Sequence, residues 1–221
     1  MDDTIISVTT IPRRLNTSLL DVIKSIKQQT FKCKLLINIP ESYVKWKDPI
    51  NIPEELIDDN IIVFRTIKDY GPKTKLLGAI EYINRNNITH IRKIITIDDD
   101  IIYSDINHIQ KLTDISNKYP DRIITYSGIK LGHFPYRYQN GLLYNNTGLV
   151  DAPAGYYGVV YPVDCIERAK LFFEDDFVNT LPSGIFNDDD AYFGIVFGAA
   201  KIPMYSCLGD TARRRCGGSS E

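Results

Sequence analysis

The sequence predicts an α/β fold, with a mostly parallel central sheet flanked by helices on both faces. Three observations carry this. Up to residue 100 the elements run strand, helix, strand, strand, helix, strand; the fourth strand is nearly all apolar; and Pro or Gly punctuates the intervals between them.

Each element has its own warrant. Thr4 to Thr9 is a short β-branched run, followed by Pro12 and then by Leu19, Leu20, Ile23 and Ile26 at helical spacing. Lys34 to Ile39 reads as a second strand ended by Pro40, and the Pro-bearing stretch to Asp59 as an irregular excursion. Asn60 to Thr66 is a third strand. Gly71-Pro72 breaks the chain before a helix marked by Leu76, Leu77, Ile80 and Ile83. Lys93 to Ile97 is the fourth strand. Beyond it come a helix through Ile106, Ile109, Leu112 and Ile115, a strand over Arg122 to Tyr126, and a Tyr-, Gly- and Asn-rich stretch over 128–158 read as loops and short strands. Helices over about 164–173 and 189–200 and a short strand near Met204 complete the readable chain.

Composition narrows the function classes. The 221 residues are 43% hydrophobic and 24% charged, ordinary for a globular protein, and leave room for one large domain or two small ones, of which one is expected. A formal charge of −2 gives no basic field for a nucleic-acid backbone. No run approaches the roughly 20 apolar residues of a membrane span, and no secretory leader is visible, so a soluble, cytoplasmic protein is expected. Cys33, Cys165, Cys207 and Cys216 lack CxxC spacing, which suits a reducing compartment and argues against a zinc site. Sequons begin at Asn16, Asn87 and Asn145 and are read as chance matches. His90, His108 and His133 share no ligand spacing.

The fourth strand ends in Asp98-Asp99-Asp100. Adjacent carboxylates repel by on the order of 4 kcal/mol per close pair at an effective dielectric near 20. A divalent cation offsets that, and hard oxygen donors select Mg²⁺ or Mn²⁺ over Zn²⁺. Because ligands of parallel sheets sit at the carboxyl ends of the strands, the residues after Thr9, Thr66 and Ile97 are expected to converge. They supply Thr9, Thr10 and Arg13 or Arg14 from the first loop. The third strand leads to Asp69, which could accept from a base or ribose, and to Lys73 and Lys75, which could reach a diphosphate at a helix start. A second triplet, Asp188-Asp189-Asp190, could cap a helix and complement its dipole, or place a general base toward an acceptor hydroxyl. Ala152 to Gly158 sets Gly155 beside Tyr156, a loop that lets backbone approach a sugar while aromatic rings stack on it.

Four segments in one order carry a resemblance: Ile6-Ser7-Val8-Thr9-Thr10-Ile11-Pro12, Asp69-Tyr70-Gly71-Pro72-Lys73-Thr74-Lys75-Leu76, Asp98-Asp99-Asp100 and Asp189-Asp190-Ala191-Tyr192-Phe193-Gly194. Together they resemble the pattern of GT-A (Rossmann-like) fold, DxD-containing glycosyltransferases, among them small bacterial and large-DNA-virus domains that include capsid-glycosylating ones. The resemblance spans nearly the whole chain. It implies a UDP-sugar donor, a glycan or glycoconjugate acceptor, and Mn²⁺ or Mg²⁺ as cofactor. By position it implies Thr9, Arg13 and Asp69 at the nucleotide, Asp98 and Asp100 on ribose and metal, Gly155 in the loop lining the sugar pocket, and Asp189-Asp190 as the acidic pair whose second carboxylate is the usual base; the residues themselves add Thr10, Lys73, Lys75 and Asp99 at the nucleotide, Tyr156 at the sugar and Asp188 among the candidate catalytic acids. It also implies one domain over 1–212, with a nucleotide-binding half at about 1–104 and an acceptor-binding half at about 105–212; 213–221 reads as a tail. The pattern departs in one place: many members carry a late His metal ligand, and no His follows His133.

Three rivals are weighed, of which a phosphatase using Asp-x-Asp-x-Thr would want Thr at the position of Ile102. A sugar-1-phosphate nucleotidyltransferase should carry a Gly-rich loop after the first strand, where Thr9-Thr10-Ile11-Pro12 has no glycine. A non-catalytic glycan-binding module would need no metal-diphosphate site.

Overall fold

The computed structural model describes residues 3–47, 50–130, 147–181, 185, 188–207 and the backbone of 213–215. In chain order the elements are β1 Thr4–Thr9, α1 Ser18–Lys27, β2 Lys34–Pro40, β3 Ile61–Thr66, α2 Thr74–Arg85, β4 Lys93–Thr96, β5 Ile101–Tyr103 and α3 His108–Lys118. There follow β6 Ile123–Thr125, β7 Gly128–Ile129, β8 Gly148–Val150, β9 Ala152–Pro153, β10 Val159–Pro162, α4 Val163–Arg168, α5 Asp175–Val178, α6 Asp189–Ala199, β11 Met204–Ser206 and β12 Arg213–Arg215. The chain is α/β, and the strand pairs of its central sheet are mostly parallel, as the element order implies. It packs as two compact units, 1–111 with 211–221, and 112–210.

In the first unit the strand order is β3-β2-β1-β4 and every pair is parallel. Ile6 of β1 lies opposite both Leu35 of β2 and Ile95 of β4. Strands β1 and β2 are buried almost throughout, which is why their sequences run apolar instead of alternating. Helix α2 lies against β1, β2 and β3 with Leu76 and Ala79 fully buried. Its N-cap makes no side-chain hydrogen bond, so packing holds it: a buried Leu contributes roughly 1.5–3 kcal/mol over an exposed one. At Gly78 an added Cβ would lie 2.7 Å from Asn38 Oδ1, so the helix approaches β2 at a distance only glycine permits.

Below α2 runs a buried polar network. Ser7 Oγ donates to the Lys75 carbonyl at 2.5 Å, and Asn38 Nδ2 donates to Ser7 Oγ at 2.7 Å and to the Val8 carbonyl at 3.1 Å. These bonds pin the first turn of α2 to the sheet. Gln29, wholly buried, plays the same part for α1: its Nε2 donates to the Tyr103 and Asp105 carbonyls at 3.2 and 3.0 Å, and its Oε1 accepts the Ile109 N–H at 3.1 Å. Helix α1 and the β5–α3 turn are thereby fixed together.

In the second unit β6 pairs antiparallel with β10 and parallel with β11, β11 pairs antiparallel with β8, and β7 with β9 forms a short antiparallel ribbon. Helix α6 is apolar on most sides, and Tyr192, Phe193, Val196 and Phe197 are all buried. Its rings join Tyr161 and Phe173 in an aromatic cluster with centroid separations of 5.5–5.8 Å. Gly194 meets Ala152 so closely that a Cβ would lie 2.6 Å from the Ala152 Cβ.

Local reading missed several boundaries. The single helix expected over 164–173 breaks at Ala169 into α4 and a 3₁₀ turn, Lys170–Phe173. Strands β5 and β10 and the single turn of α5 were too short, or too close to a helix, to carry a periodic signal. Arg213–Arg215, within the segment read as a tail, pairs antiparallel with β5. His133, Asn145, Asn187 and 216–221 lie outside the described residues. Among the described residues no helix is long and apolar enough to cross a membrane.

Candidate functional site at the carboxyl ends of the parallel strands

Strand β4 leaves the sheet through the Ile97 N–H, which donates to the Ser7 carbonyl at 3.0 Å, and the acidic triplet follows at once. Its three side chains part ways. Asp99 turns inward and is 6% exposed, while the side chains of Asp98 and Asp100, one residue to either side, are 28% and 31% exposed.

Each carboxylate meets a cation. Thr10 Oγ1 donates to Asp99 Oδ2 at 2.6 Å, Arg14 Nη1 donates to Asp99 Oδ1 at 2.7 Å, and Arg14 Nη2 lies 3.4 Å from Asp100 Oδ2. Lys75 Nζ donates to Asp98 Oδ1 at 2.6 Å from the first turn of α2. The repulsion within the triplet is therefore met largely by the protein itself, and among the described residues three carboxylates face two cations. Burial raises the Asp99 carboxyl above its ordinary range even though Arg14 and Thr10 pull it down, and Asp100 adds to the rise. For Arg14, burial works to lower the guanidinium, but attraction to Asp99 and Asp100 outweighs it and the net shift is upward. Tyr103, fully enclosed and bonded to the Asp98 backbone, is likewise raised by burial.

The loops after β1 and β3 gather at this end of the first unit with the triplet, as expected, and the loop after β2 joins them. Thr9 Oγ1 donates to the Asn38 carbonyl at 2.9 Å, and Tyr43 Oη donates to the Thr10 carbonyl at 2.7 Å. The Arg13 guanidinium carbon lies 5.2 Å from the Trp46 ring centroid, and Lys45 Nζ is 5.2 Å from the same centroid. Asp69 acts as a strap: its Oδ2 accepts the Val44 N–H at 2.9 Å and its Oδ1 accepts the Gly71 N–H at 2.8 Å. Gly71 has a φ of 61°, the left-handed conformation that glycine adopts without strain. Lys73 and Lys75 are each 4% exposed, so they stand in the wall rather than as free point charges, and Lys75 is committed to Asp98.

Sequence reasoning did not single out Tyr43, Trp46 or Tyr103, and of Arg13 and Arg14 it carried only Arg13 to the nucleotide, by resemblance. The structure separates those two: Arg14 reaches the triplet and Arg13 stacks on Trp46. A signal for the first existed in the spacing of Thr10 and Arg14 around the 3₁₀ turn Pro12–Arg14, which turns both toward Asp99. His108 is 1% exposed with its ring 4.9 Å from that of Tyr103, a core position.

In the second unit the other triplet divides its roles. Asp188 caps α6, its Oδ1 accepting the Ala191 N–H at 3.0 Å. Asp190 Oδ1 accepts the Gly155 N–H at 2.7 Å, which anchors the 3₁₀ turn Gly155–Tyr157, where the Tyr156 and Tyr157 rings stand with centroids 3.7 Å apart.

Among the described residues no group of three or more His, Cys, Asp or Glu is arranged to hold a metal. The donor chemistry present is a pair, Asp98 and Asp100, partly exposed and flanking the buried Asp99. Two hard carboxylates fit Mg²⁺ or Mn²⁺, whose remaining positions diphosphate oxygens and water commonly fill. A separate cavity of about 1090 Å³ opens at the amino-terminal ends of β1 to β3, lined by Ile5, Ile26, Phe31, Leu35, Ile61 and Ile88. It lies at the opposite edge of the parallel strands from the triplet and gathers no comparable acidic cluster.

No protein-family model and no curated protein matches the chain. Solved structures do share its fold. TarS 1–349 of S. aureus in complex with UDP-GlcNAc is similar with a TM-score of 0.60 at 12% identity, over 100% of this chain and 60% of that one. CMP:2-keto-3-deoxy-manno-octonic acid synthetase complexed with CTP is similar at 0.55 and 9% identity, over 95% and 91% of the two chains. A third, 4-diphosphocytidyl-2C-methyl-D-erythritol synthase, is similar at 0.56 and 6% identity, over 95% and 90%. At these identities the likeness shows the fold alone.

Proposed function

We propose that the chain is a metal-dependent glycosyltransferase that moves a sugar from a UDP-sugar to a hydroxyl of a glycan or glycoconjugate. One observation carries the reading. Asp98 and Asp100 stand partly exposed at the carboxyl end of a parallel strand, beside buried Asp99 and Lys75 and the partly exposed Arg14. The fold that presents them is shared with TarS, a GT-A-type glycosyltransferase, in its UDP-GlcNAc complex.

Asp98 and Asp100 would hold Mn²⁺ or Mg²⁺, which supplies charge stabilisation to a departing diphosphate. The loops after β1, β2 and β3 bind the nucleotide: Thr9 and Thr10 shape the floor, Asp69 keeps Val44 and Gly71 in register, and Trp46 with Arg13 forms a flat cationic wall against which a base can stack. Gly155 and Tyr156 contact sugar, and Asp190 takes the proton from the acceptor hydroxyl. Its bond to the Gly155 N–H fixes the carboxylate orientation.

A second reading has its own support, because two nucleotidyl-transferring enzymes match over 90% or more of both chains. The missing glycine-rich loop weighs against it. One assay separates the two. A panel of UDP-sugars is scored for Mn²⁺-dependent UDP release, beside CTP or UTP with sugar phosphates scored for pyrophosphate. UDP release that vanishes in Asp98→Ala and Asp100→Ala supports glycosyl transfer, and pyrophosphate release supports the alternative. The proposal fails if no UDP-sugar is bound or cleaved.

A further inference from the structure

Arg14 bridges two of the three acidic side chains, and this bears on how a cation could enter. Its Nη1 is 2.7 Å from Asp99 and its Nη2 is 3.4 Å from Asp100, while its own side chain is 42% exposed. The guanidinium thus occupies part of the space through which Asp100 would meet a metal. Lys75 differs: its side chain is 5% exposed and enclosed at the start of α2, so it is a permanent partner of Asp98. Among the described residues two cations meet the triplet, and of these only Arg14 has solvent into which to move.

We propose that Arg14 is the displaceable counter-ion of the triplet: it neutralises Asp99 and Asp100 in the resting protein and must release Asp100 before a divalent cation binds. This rests on the metal-site reading above and adds a regulation to it. With Arg14 in place the described cations offset two of the three carboxylate charges, which leaves too little to hold a divalent ion firmly. A diphosphate supplies the missing ligands and offers the guanidinium a new anion, so nucleotide and metal load together. Arg14 is a positioning residue in this scheme: it acts on the cation through Asp99 and Asp100. Asp99 keeps its bond to Thr10 when Arg14 leaves, so the buried carboxylate is never without a donor.

The test is Mn²⁺ binding followed by electron paramagnetic resonance, with and without UDP, on wild type, Arg14→Gln, Arg14→Lys and Asp98→Asn. Removing the Arg14 charge should tighten nucleotide-free Mn²⁺ binding by about tenfold, and the factor by which UDP improves Mn²⁺ affinity should shrink by about the same amount. Arg14→Lys, which keeps the charge, should stay near wild type. If Arg14→Gln binds Mn²⁺ no more tightly than wild type while Asp98→Asn loses it, the counter-ion role is wrong and the metal site stands. If wild type binds no Mn²⁺ even with UDP, the metal-site reading falls and this inference with it. An independent check uses unaltered protein: the Arg14 Nε–Hε resonance should shift on addition of Mg²⁺ with UDP, and an unmoved signal at saturation overturns the proposal even if the variants do not fold.

Discussion

Lys75 Nζ lies 2.6 Å from Asp98 Oδ1, joining the first turn of α2 to a residue two positions beyond β4 across 23 positions of sequence. The contact is anchored from below, since the Lys75 carbonyl accepts the Ser7 hydroxyl. Replacing Lys75 by Met should lower stability by about 1–3 kcal/mol, because Asp98 loses its charged donor in a mostly enclosed place. Urea denaturation measures it; an unchanged midpoint would show that solvent already satisfies Asp98.

Gly78→Ala tests the closeness of α2 to β2. The new Cβ would meet Asn38 Oδ1 at 2.7 Å and Asn38 Cγ at 2.8 Å, and Asn38 is held by bonds to Ser7 and Val8. Ala is ordinarily the better helix former, yet overpacking should dominate and cost about 1–3 kcal/mol. A rise in melting temperature would mean that Asn38 yields freely.

The second acidic triplet should split by function. Asp188→Ala removes a helix cap and should cost about 0.5–2 kcal/mol of stability with little change in UDP affinity. Asp190→Asn should instead lower turnover by roughly 10²–10⁴-fold with UDP affinity retained, if Asp190 is the base. Equal turnover in Asp190→Asn and wild type would remove it from that role.

Asp99 gives a pH signature. Its carboxyl titrates higher in the folded protein than in the unfolded chain, because burial outweighs Arg14 and Thr10. The folded state therefore binds the proton more tightly, and the stability associated with this group falls as pH rises from about 4 through its raised folded value. The stability of wild type relative to Asp99→Asn should decline over that window. A difference that grows with pH would show the ion pair with Arg14 dominating instead.

Three thiols should be slow to react while the protein is folded. Burial pushes Cys33 up to about 12 and Cys165 and Cys207 up to about 11, so little thiolate forms near pH 8. Disulfide-exchange labelling followed by peptide mapping should find these three modified only after denaturation. Rapid labelling of Cys165 or Cys207 in native protein would contradict their burial.

The sequence by itself determined the parallel sheet and the place where chemistry collects. Apolar β-branched runs at 4–9, 34–39, 60–66 and 93–97 were long enough to declare themselves as strands, and the order of strands and helices implied parallel pairing with loops gathering at one end. Asp98-Asp99-Asp100 was visible as an electrostatic problem, because charge repulsion follows from composition at a strand end. Its local solution was not visible. Whether a carboxylate faces Thr10 and Arg14, Lys75 or solvent depends on which side of the chain each residue turns as it leaves β4, and on side chains 85 and 23 positions away. Only tertiary packing decided that Lys73 and Lys75 are wall residues, that Asp69 straps two loops together, and that Arg14 rather than Arg13 meets the triplet. Local periodicity reports which face of an element is apolar; it carries no information about the distant partner that a polar group finds when elements meet.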